Sequence, residues 1–264
     1  MTRFRATLAY NGSAYFGYQI QPDLPTVQGT LEDALMQIFK QPTRVDAAGR
    51  TDTGVHASGQ VIAFDAEWKH GTRALLRAIN AKLPDDIALQ DITQQDKFHP
   101  RFDALSRTYR YHVAVVEVRQ PLLHQRAWQV QHKLDISVMQ RAAGCVIGEQ
   151  DFAAFGKPPQ GSNTVRALFR SVWHTEQHAH GEQFIYEVEA TAFLHHMVRR
   201  LVGLQVALGA GWITFDEFQM IFASCDLSQN HHIAPPYGLT LTQVRYPPIG
   251  VSRANYQRTQ GQAI

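Results

Sequence analysis

The chain opens on an alternation of apolar and polar residues that predicts a β-strand. Phe4, Ala6, Leu8 and Tyr10 fall on one face, and the polar run at residues 11–13 ends the pattern. The same signals predict further strands over residues 61–64, 87–92, 108–116 and 239–246, together with a hairpin of residues 171–176 and 184–191 around His180-Gly181.

Apolar residues at three- and four-residue spacing predict helices between these strands. One helix begins at about Val27, with Thr26 as its N-cap and with Leu31 and Leu35 on its apolar face. Thr214 and Glu217 have the spacing of a capping box and predict the start of another helix. Apolar spacing predicts further helices over residues 72–82, 136–146 and 194–208.

The order of these elements indicates an α+β protein with a mixed, mostly antiparallel sheet. Strands and helices occur in both parts of the chain, so we expect two halves of similar element order, residues 1–104 and 105–247. No repeat is visible in the sequence itself. Residues 248–264 are polar and without periodicity, which predicts a disordered tail.

Composition restricts the class of protein. A chain of 264 residues, 44% of them hydrophobic, is long enough for a large core without disulfide staples. Its two cysteines, Cys145 and Cys225, form no C-x-x-C motif, which suits a reducing compartment. No apolar leader and no run of about 20 apolar residues is present, so we expect a soluble cytoplasmic protein with no membrane span. A net charge of +2 permits nucleic-acid binding without requiring it.

The segment most unusual in composition is residues 49–60, which contains three glycines between two apolar runs. Arg50, Asp52 and His56 therefore lie on a loop attached to a predicted sheet, a common position for functional groups. The residues alone leave two interpretations of Asp52 open: a catalytic carboxylate, or an Asp that accepts hydrogen bonds from its own loop. The spacing excludes a P-loop and a dinucleotide-binding G-x-G-x-x-G motif.

Residues 49–57, which read Gly-Arg-Thr-Asp-Thr-Gly-Val-His-Ala, resemble the signature of the tRNA pseudouridine synthase I family. The resemblance covers about residues 3–246, with departures from the usual family residues at Asn11, Tyr18 and Thr53. Asn11 and Tyr18 fall in a turn that we expect to face the substrate. Further matches follow in the family's order at residues 10–13, 15–19, 26–28, 31–35, 80–84, 98–102, 107–111, 151–155, 193–199 and 234–239.

The resemblance implies a pseudouridine synthase fold and an isomerase that converts uridine to pseudouridine in the tRNA anticodon stem-loop, at about positions 38, 39 and 40. It implies a homodimer that binds tRNA and uses neither a metal nor another cofactor. The alternatives are a pseudouridine synthase acting on another RNA and a non-catalytic RNA-binding protein on the same fold. A metal hydrolase that uses the His195-His196 and His231-His232 pairs is a third, less favoured because neither pair has metal-ligand spacing along a helix.

The resemblance also implies the roles of individual residues. Asp52 is the expected nucleophile, and Arg50 would lower its pKa if the two side chains meet. Tyr109 matches the family's active-site tyrosine, which stacks on uracil and is a candidate base, although from pattern alone it could equally be a core residue like Tyr111. Arg199 is expected near Asp52 as an ion-pair or phosphate partner, and the helical pattern puts it on one face with His195. His56 is expected to contact substrate.

Contacts to the RNA backbone are expected from arginine side chains, since phosphate oxygens accept their hydrogen bonds. The candidates are Arg101, Arg107, Arg110, Arg166, Arg170, Arg199 and Arg200.

Overall fold

The computed structural model describes residues 1–178 and 181–261. These residues form an α+β protein of two compact units, each with a sheet and helices, in agreement with the class predicted from sequence. The first unit comprises Met1–Arg107 and Leu241–Ile264, and the second comprises Thr108–Thr240.

The described residues contain the following strands and α-helices. The strands are β1 (Thr2–Tyr10), β2 (Val45–Ala47), β3 (His56–Ala66), β4 (Ile87–Gln94), β5 (Ser106–Val115), β6 (Trp128–Val130), β7 (Gly148–Asp151), β8 (Val165–His178), β9 (Gly181–Ala190) and β10 (Leu239–Arg245). The helices are α1 (Val27–Phe39), α2 (Thr72–Asn80), α3 (Ile136–Cys145), α4 (Met197–Gly209), α5 (Phe215–Ala223) and α6 (Arg253–Gly261).

The sheet of the first unit has the strand order β4-β1-β3-β10, with β2 also paired to β3. β1 runs antiparallel to both of its neighbours, and its alternate residues from Phe4 to Tyr10 are buried, as the sequence pattern predicts. α1 starts where Thr26 accepts a hydrogen bond from the Gly29 N–H at 3.3 Å, which confirms the predicted N-cap.

Glycine allows β3 and β10 to lie close together. A Cβ added to Gly59 of β3 would lie 2.1 Å from the carbonyl oxygen of Thr242 in β10. Any other residue at this position would therefore push the two strands apart.

The sheet of the second unit has the order β5-β9-β8-β7, with β6 parallel to β5. β8 and β9 form the predicted hairpin, although His180 of its expected turn lies outside the described residues. In α4 every residue except Arg199 and Arg200 is buried, so this helix forms the centre of the core. Trp173 of β8 donates its indole N–H to Gln205 of α4 at 2.8 Å, which satisfies two polar groups inside that core.

Three features differ from the sequence expectations. α4 begins at Met197 rather than Leu194, because His196 has the left-handed backbone angle φ of +62° and cannot belong to the helix. Residues 241–247 lie with the first unit, where β10 pairs with β3, and the second unit starts at Thr108 rather than at residue 105. The segment predicted to be disordered contains α6.

None of the helices in the described part of the chain has the length and apolar composition needed to cross a membrane.

Candidate active site

The loop that carries Asp52 connects β2 to β3 in the first unit and is fixed at its root. The Ala48 N–H donates to the carbonyl of Val61 at 2.8 Å. Gln60 is fully buried, and its amide donates to the carbonyl of Gly49 at 2.7 Å. The role of Gln60 was missed from sequence, where the only signal is a polar residue next to an apolar strand run.

A second segment, residues 15–18, packs directly against the backbone around Asp52. The Tyr18 N–H donates to the Thr51 carbonyl at 3.0 Å, and the Gly54 N–H donates to the Tyr15 carbonyl at 3.4 Å. Gly17 has φ of +89°, and a Cβ there would lie 2.9 Å from the Thr51 carbonyl oxygen. Glycine is therefore required at position 17 both by its backbone angle and by the closeness of the loop.

Asp52 itself occupies the first position of a tight turn. The Val55 N–H donates to the Asp52 carbonyl at 3.1 Å, and Gly54 at the third position has φ of +76°. The hydroxyls of Tyr10 and Thr51 form a buried hydrogen bond of 2.8 Å beneath this turn. Asp52 is only half-buried, so a partly exposed carboxylate stands on a backbone held from several directions.

Arg50 and His56 lie on the same loop in different surroundings. Arg50 is exposed, and its side chain forms no hydrogen bond or ion pair with another residue of the described chain. The contact that was expected between the side chains of Arg50 and Asp52 is therefore not formed. His56 is buried, and its Nδ1 accepts a hydrogen bond from the Gly12 N–H at 3.0 Å. That position favours a role in holding the loop over direct contact with substrate.

Tyr18, expected to face the substrate, is instead a core residue. It is 2% exposed, and its ring lies 6.3 Å from that of Tyr10. Its hydroxyl has no hydrogen-bond partner among the described residues, and burial raises the pKa of this phenol well above its usual value. Asn11 accepts hydrogen bonds from the backbone and hydroxyl of Ser13, so it shapes the turn rather than the loop of Asp52.

In the second unit, Tyr109 and Tyr111 of β5 are clearly distinguished by burial. Tyr109 is half-buried, and its ring meets that of Phe193 edge-on at a centroid distance of 5.2 Å. Tyr111 is fully buried, and its hydroxyl donates to the Pro235 carbonyl at 2.8 Å. Burial, and to a lesser degree Tyr237, raises the pKa of Tyr111, which suits a structural phenol.

The two arginines of α4 each hold a neighbouring loop. Arg199 donates from Nε to the Ala234 carbonyl at 2.8 Å, and Arg200 donates from Nη1 to the Asn230 carbonyl at 2.7 Å. His195 precedes the helix and stacks on His196 at 3.7 Å, so it does not share the helix face of Arg199 that the spacing suggested.

Most of the arginines expected to contact RNA are engaged in contacts with the protein. Arg110 and Arg170 both pair with Glu187, at 2.7 and 2.5 Å. Burial opposes ionisation of Glu187, but these two arginines outweigh it and lower its pKa. Arg107 and Arg166 donate to backbone carbonyls. Arg101 is the exception within the described chain, since its guanidinium forms no hydrogen bond or ion pair.

The residues predicted from sequence thus divide between the two units. Arg50, Asp52 and His56 share one loop of the first unit, whereas Tyr109 and Arg199 belong to the second. Within either unit taken by itself, no three described His, Cys, Asp or Glu side chains lie close enough together to hold a metal ion.

Comparison with known proteins identifies the family. The profile of the tRNA pseudouridine synthase family matches residues 6–103 and 142–247. A protein from Methylacidiphilum infernorum named tRNA pseudouridine synthase A is 39% identical over 248 residues, covering 93% of this chain and 96% of that protein. One of the same name from Neisseria meningitidis is 40% identical over 248 residues, covering 93% and 92%. Another from Chloroflexus aurantiacus is 39% identical over 243 residues, covering 91% and 87%.

A chain that carries the Asp52 loop in this setting, and matches the family over most of its length, belongs to the tRNA pseudouridine synthases.

Proposed function

We propose that this chain converts uridine to pseudouridine in the anticodon stem-loop of tRNA, at about positions 38, 39 and 40, with Asp52 as nucleophile. In that reaction the bond from N1 of uracil to C1′ of the ribose breaks, and a bond from C5 to C1′ forms. N1 gains a proton and C5 loses one, so the reaction is an isomerisation in which nothing is oxidised or hydrolysed.

The observation that carries the proposal is the fixed backbone around a partly exposed Asp52. Cleavage of a glycosidic bond builds positive charge on the sugar, which an ionised carboxylate stabilises or traps. Such a group is effective only where its position is set in advance, because moving it during the reaction costs free energy. The hydrogen bond from the Tyr18 N–H to the Thr51 carbonyl supports that position here, as does the one from the Gly54 N–H to the Tyr15 carbonyl. The close approach of Gly17 to the same backbone adds to this support.

The remaining residues take supporting roles in the proposal. The target uridine is stacked in the tRNA and must be extracted, which costs a few kcal/mol. Arg50 is exposed beside Asp52 and suits the task of occupying the gap that the base leaves. Tyr109, half-buried with its ring against Phe193, suits stacking on uracil and carrying a proton through its hydroxyl. In the proposal Arg199, positioned by its hydrogen bond to the Ala234 carbonyl, contacts a phosphate of the RNA, and His56 holds the loop.

The proposal includes a cytoplasmic homodimer that needs no metal or other cofactor. Ordinary side-chain chemistry is sufficient, since the reaction transfers only a sugar and protons.

The test is the substitution Asp52→Asn, which keeps the size of the side chain and removes its charge and nucleophilic oxygen. We expect pseudouridine formation in unmodified tRNA to fall by several orders of magnitude, while tRNA binding is kept. Carbodiimide treatment and reverse transcription locate the product. Asp85→Asn, at an exposed Asp of the same unit, is the matched control and should keep full activity.

Two outcomes would contradict the proposal. Turnover of Asp52→Asn above about one tenth of wild type would remove Asp52 from the role of nucleophile. A wild-type protein that binds tRNA without forming pseudouridine would instead indicate a non-catalytic RNA-binding protein.

A further inference from the structure

Phe102 presents an unusually exposed aromatic ring in the first unit. The residue is 63% exposed, whereas the neighbouring Phe98 is 4% exposed. His99 packs against the Phe102 ring at a centroid distance of 4.2 Å, and the guanidinium carbon of Arg101 lies 5.7 Å from the ring centroid. An aromatic surface edged by a positive charge is therefore open to solvent.

Hydrogen bonds hold the backbone beneath this ring. His99 Nδ1 accepts hydrogen bonds from the Arg101 N–H at 3.1 Å and the Phe102 N–H at 3.4 Å. The His99 N–H in turn donates to the Asp103 carboxylate at 2.8 Å. Arg253 donates to the Phe102 carbonyl at 3.2 Å. A large side chain held on so well-fixed a turn loses little conformational entropy when it binds a partner.

One side chain connects this turn to the loop of the proposed nucleophile. Nη2 of Arg107 donates both to the Arg101 carbonyl at 3.0 Å and to the Ala48 carbonyl at 2.9 Å. Ala48 immediately precedes the loop that carries Asp52. The guanidinium of Arg107 is therefore hydrogen-bonded both to the turn of Phe102 and to the start of the Asp52 loop.

Among the arginines expected to contact RNA, Arg101 is the one whose guanidinium forms no hydrogen bond or ion pair within the described chain. Of the seven arginines expected to contact RNA, the other six donate to carbonyl or carboxylate oxygens of the described chain, and Arg101 does not. An exposed guanidinium beside an exposed ring suits a nucleotide, since the ring stacks on a base and the cation pairs with its phosphate.

We propose that Phe102 and Arg101 form a stacking site for an unpaired base of the RNA substrate, next to the target uridine. This inference rests on the proposed function. It adds a contact that recognises an exposed base by its flat face, without reading its identity.

The test compares variants of Phe102 in binding to unmodified tRNA. Phe102→Ala and Phe102→Leu should each weaken binding about tenfold, the usual effect of removing one stacking ring. Phe102→Trp should keep the affinity, and the fluorescence of its indole should be quenched when tRNA binds. Phe169→Ala, at a phenylalanine that is 53% exposed in the second unit, is the control and should bind like wild type.

Arg101→Gln provides an independent measurement. If Arg101 neutralises one phosphate, the slope of the logarithm of the binding constant against the logarithm of salt concentration should fall by about 1. Thermal unfolding midpoints equal to that of wild type would show that these surface variants fold.

Three results would overturn the stacking site. The first is tRNA affinity equal to that of wild type for Phe102→Ala, and the second is the same result for Phe102→Leu. The third is that these variants change the oligomeric mass of the protein and leave RNA binding unchanged. The last would make Phe102 a protein contact. Failure of the proposed function is distinguishable, because it would appear as absence of pseudouridine in tRNA treated with the wild-type protein.

Discussion

At the scale of single residues, Tyr109 and Tyr111 show how one strand serves two purposes. They are two positions apart in β5, yet the hydroxyl of Tyr111 is bonded inside the core and Tyr109 is half-buried. A pattern of alternating residues assigns both to the same strand face. Their different surroundings make them a matched pair for testing the proposed chemistry.

We expect Tyr109→Phe to lower the rate of pseudouridine formation while leaving tRNA binding intact, because it removes the hydroxyl and keeps the ring. Tyr111→Phe should keep the rate per folded molecule and lower the free energy of unfolding by about 1 kcal/mol, since the Pro235 carbonyl loses its donor. Single-turnover kinetics and denaturant unfolding measure the two effects. Equal losses of rate at both positions would make Tyr109 a packing residue.

At the scale of secondary-structure elements, Glu187 connects three neighbouring strands of the second unit. It lies on β9, between Arg110 of β5 and Arg170 of β8. The Glu187 side chain is 13% exposed, whereas both arginines are about half-exposed, so solvent screens part of the attraction.

The lowered pKa of Glu187 predicts how stability depends on pH. The ion pairs stabilise the protein fully above the pKa of Glu in the unfolded chain, and this contribution is lost as the pH falls through the lower, folded value. Glu187→Gln should therefore cost about 1 kcal/mol of unfolding free energy at pH 7, and the difference from wild type should vanish in acid. Urea unfolding of both proteins between pH 3 and about pH 7 checks this expectation. A difference that stays constant with pH would show that the charge of Glu187 is not its source.

At the scale of the whole molecule, we propose a homodimer because of the size of the tRNA substrate. A tRNA is far longer than the diameter of one folded chain of 29.8 kDa. Its body would therefore extend beyond the surface around one active site. A second subunit adds RNA-binding surface without added sequence-specific contacts, and an A-form stem is recognised mainly by shape and backbone. Six of the seven arginines expected to contact RNA are engaged within the protein, which increases the need for such surface.

We expect light scattering to give about twice the mass of one chain at micromolar concentration. An isolated anticodon stem-loop should be a much poorer substrate than whole tRNA, because it lacks the body that the second subunit would hold. A monomer that modifies the bare stem-loop at full rate would refute the two-subunit proposal, and the Asp52 chemistry would stand without it.

The sequence by itself determined the features that depend on neighbouring residues. The strand of alternating residues at β1, the N-cap at Thr26 and the capping box of Thr214 and Glu217 all form as predicted. The two caps are contacts between residues three positions apart, and the buried face of β1 shows in the two-residue period of its own sequence. The local pattern therefore carries the information. The loop of Asp52 was also recognisable, because its residues form a long and specific motif.

Only the tertiary structure decided which residues meet across long separations. The pairing of β3 with β10 brings the end of the chain to the first unit, and Gly59 permits it by its lack of a side chain. Burial of Tyr18 and His56 depends on distant segments packing around them. Five of the six engaged arginines likewise bond to residues far away along the chain. Such contacts are chosen by the packing of the whole core, and no local window of the sequence contains the partners that make them.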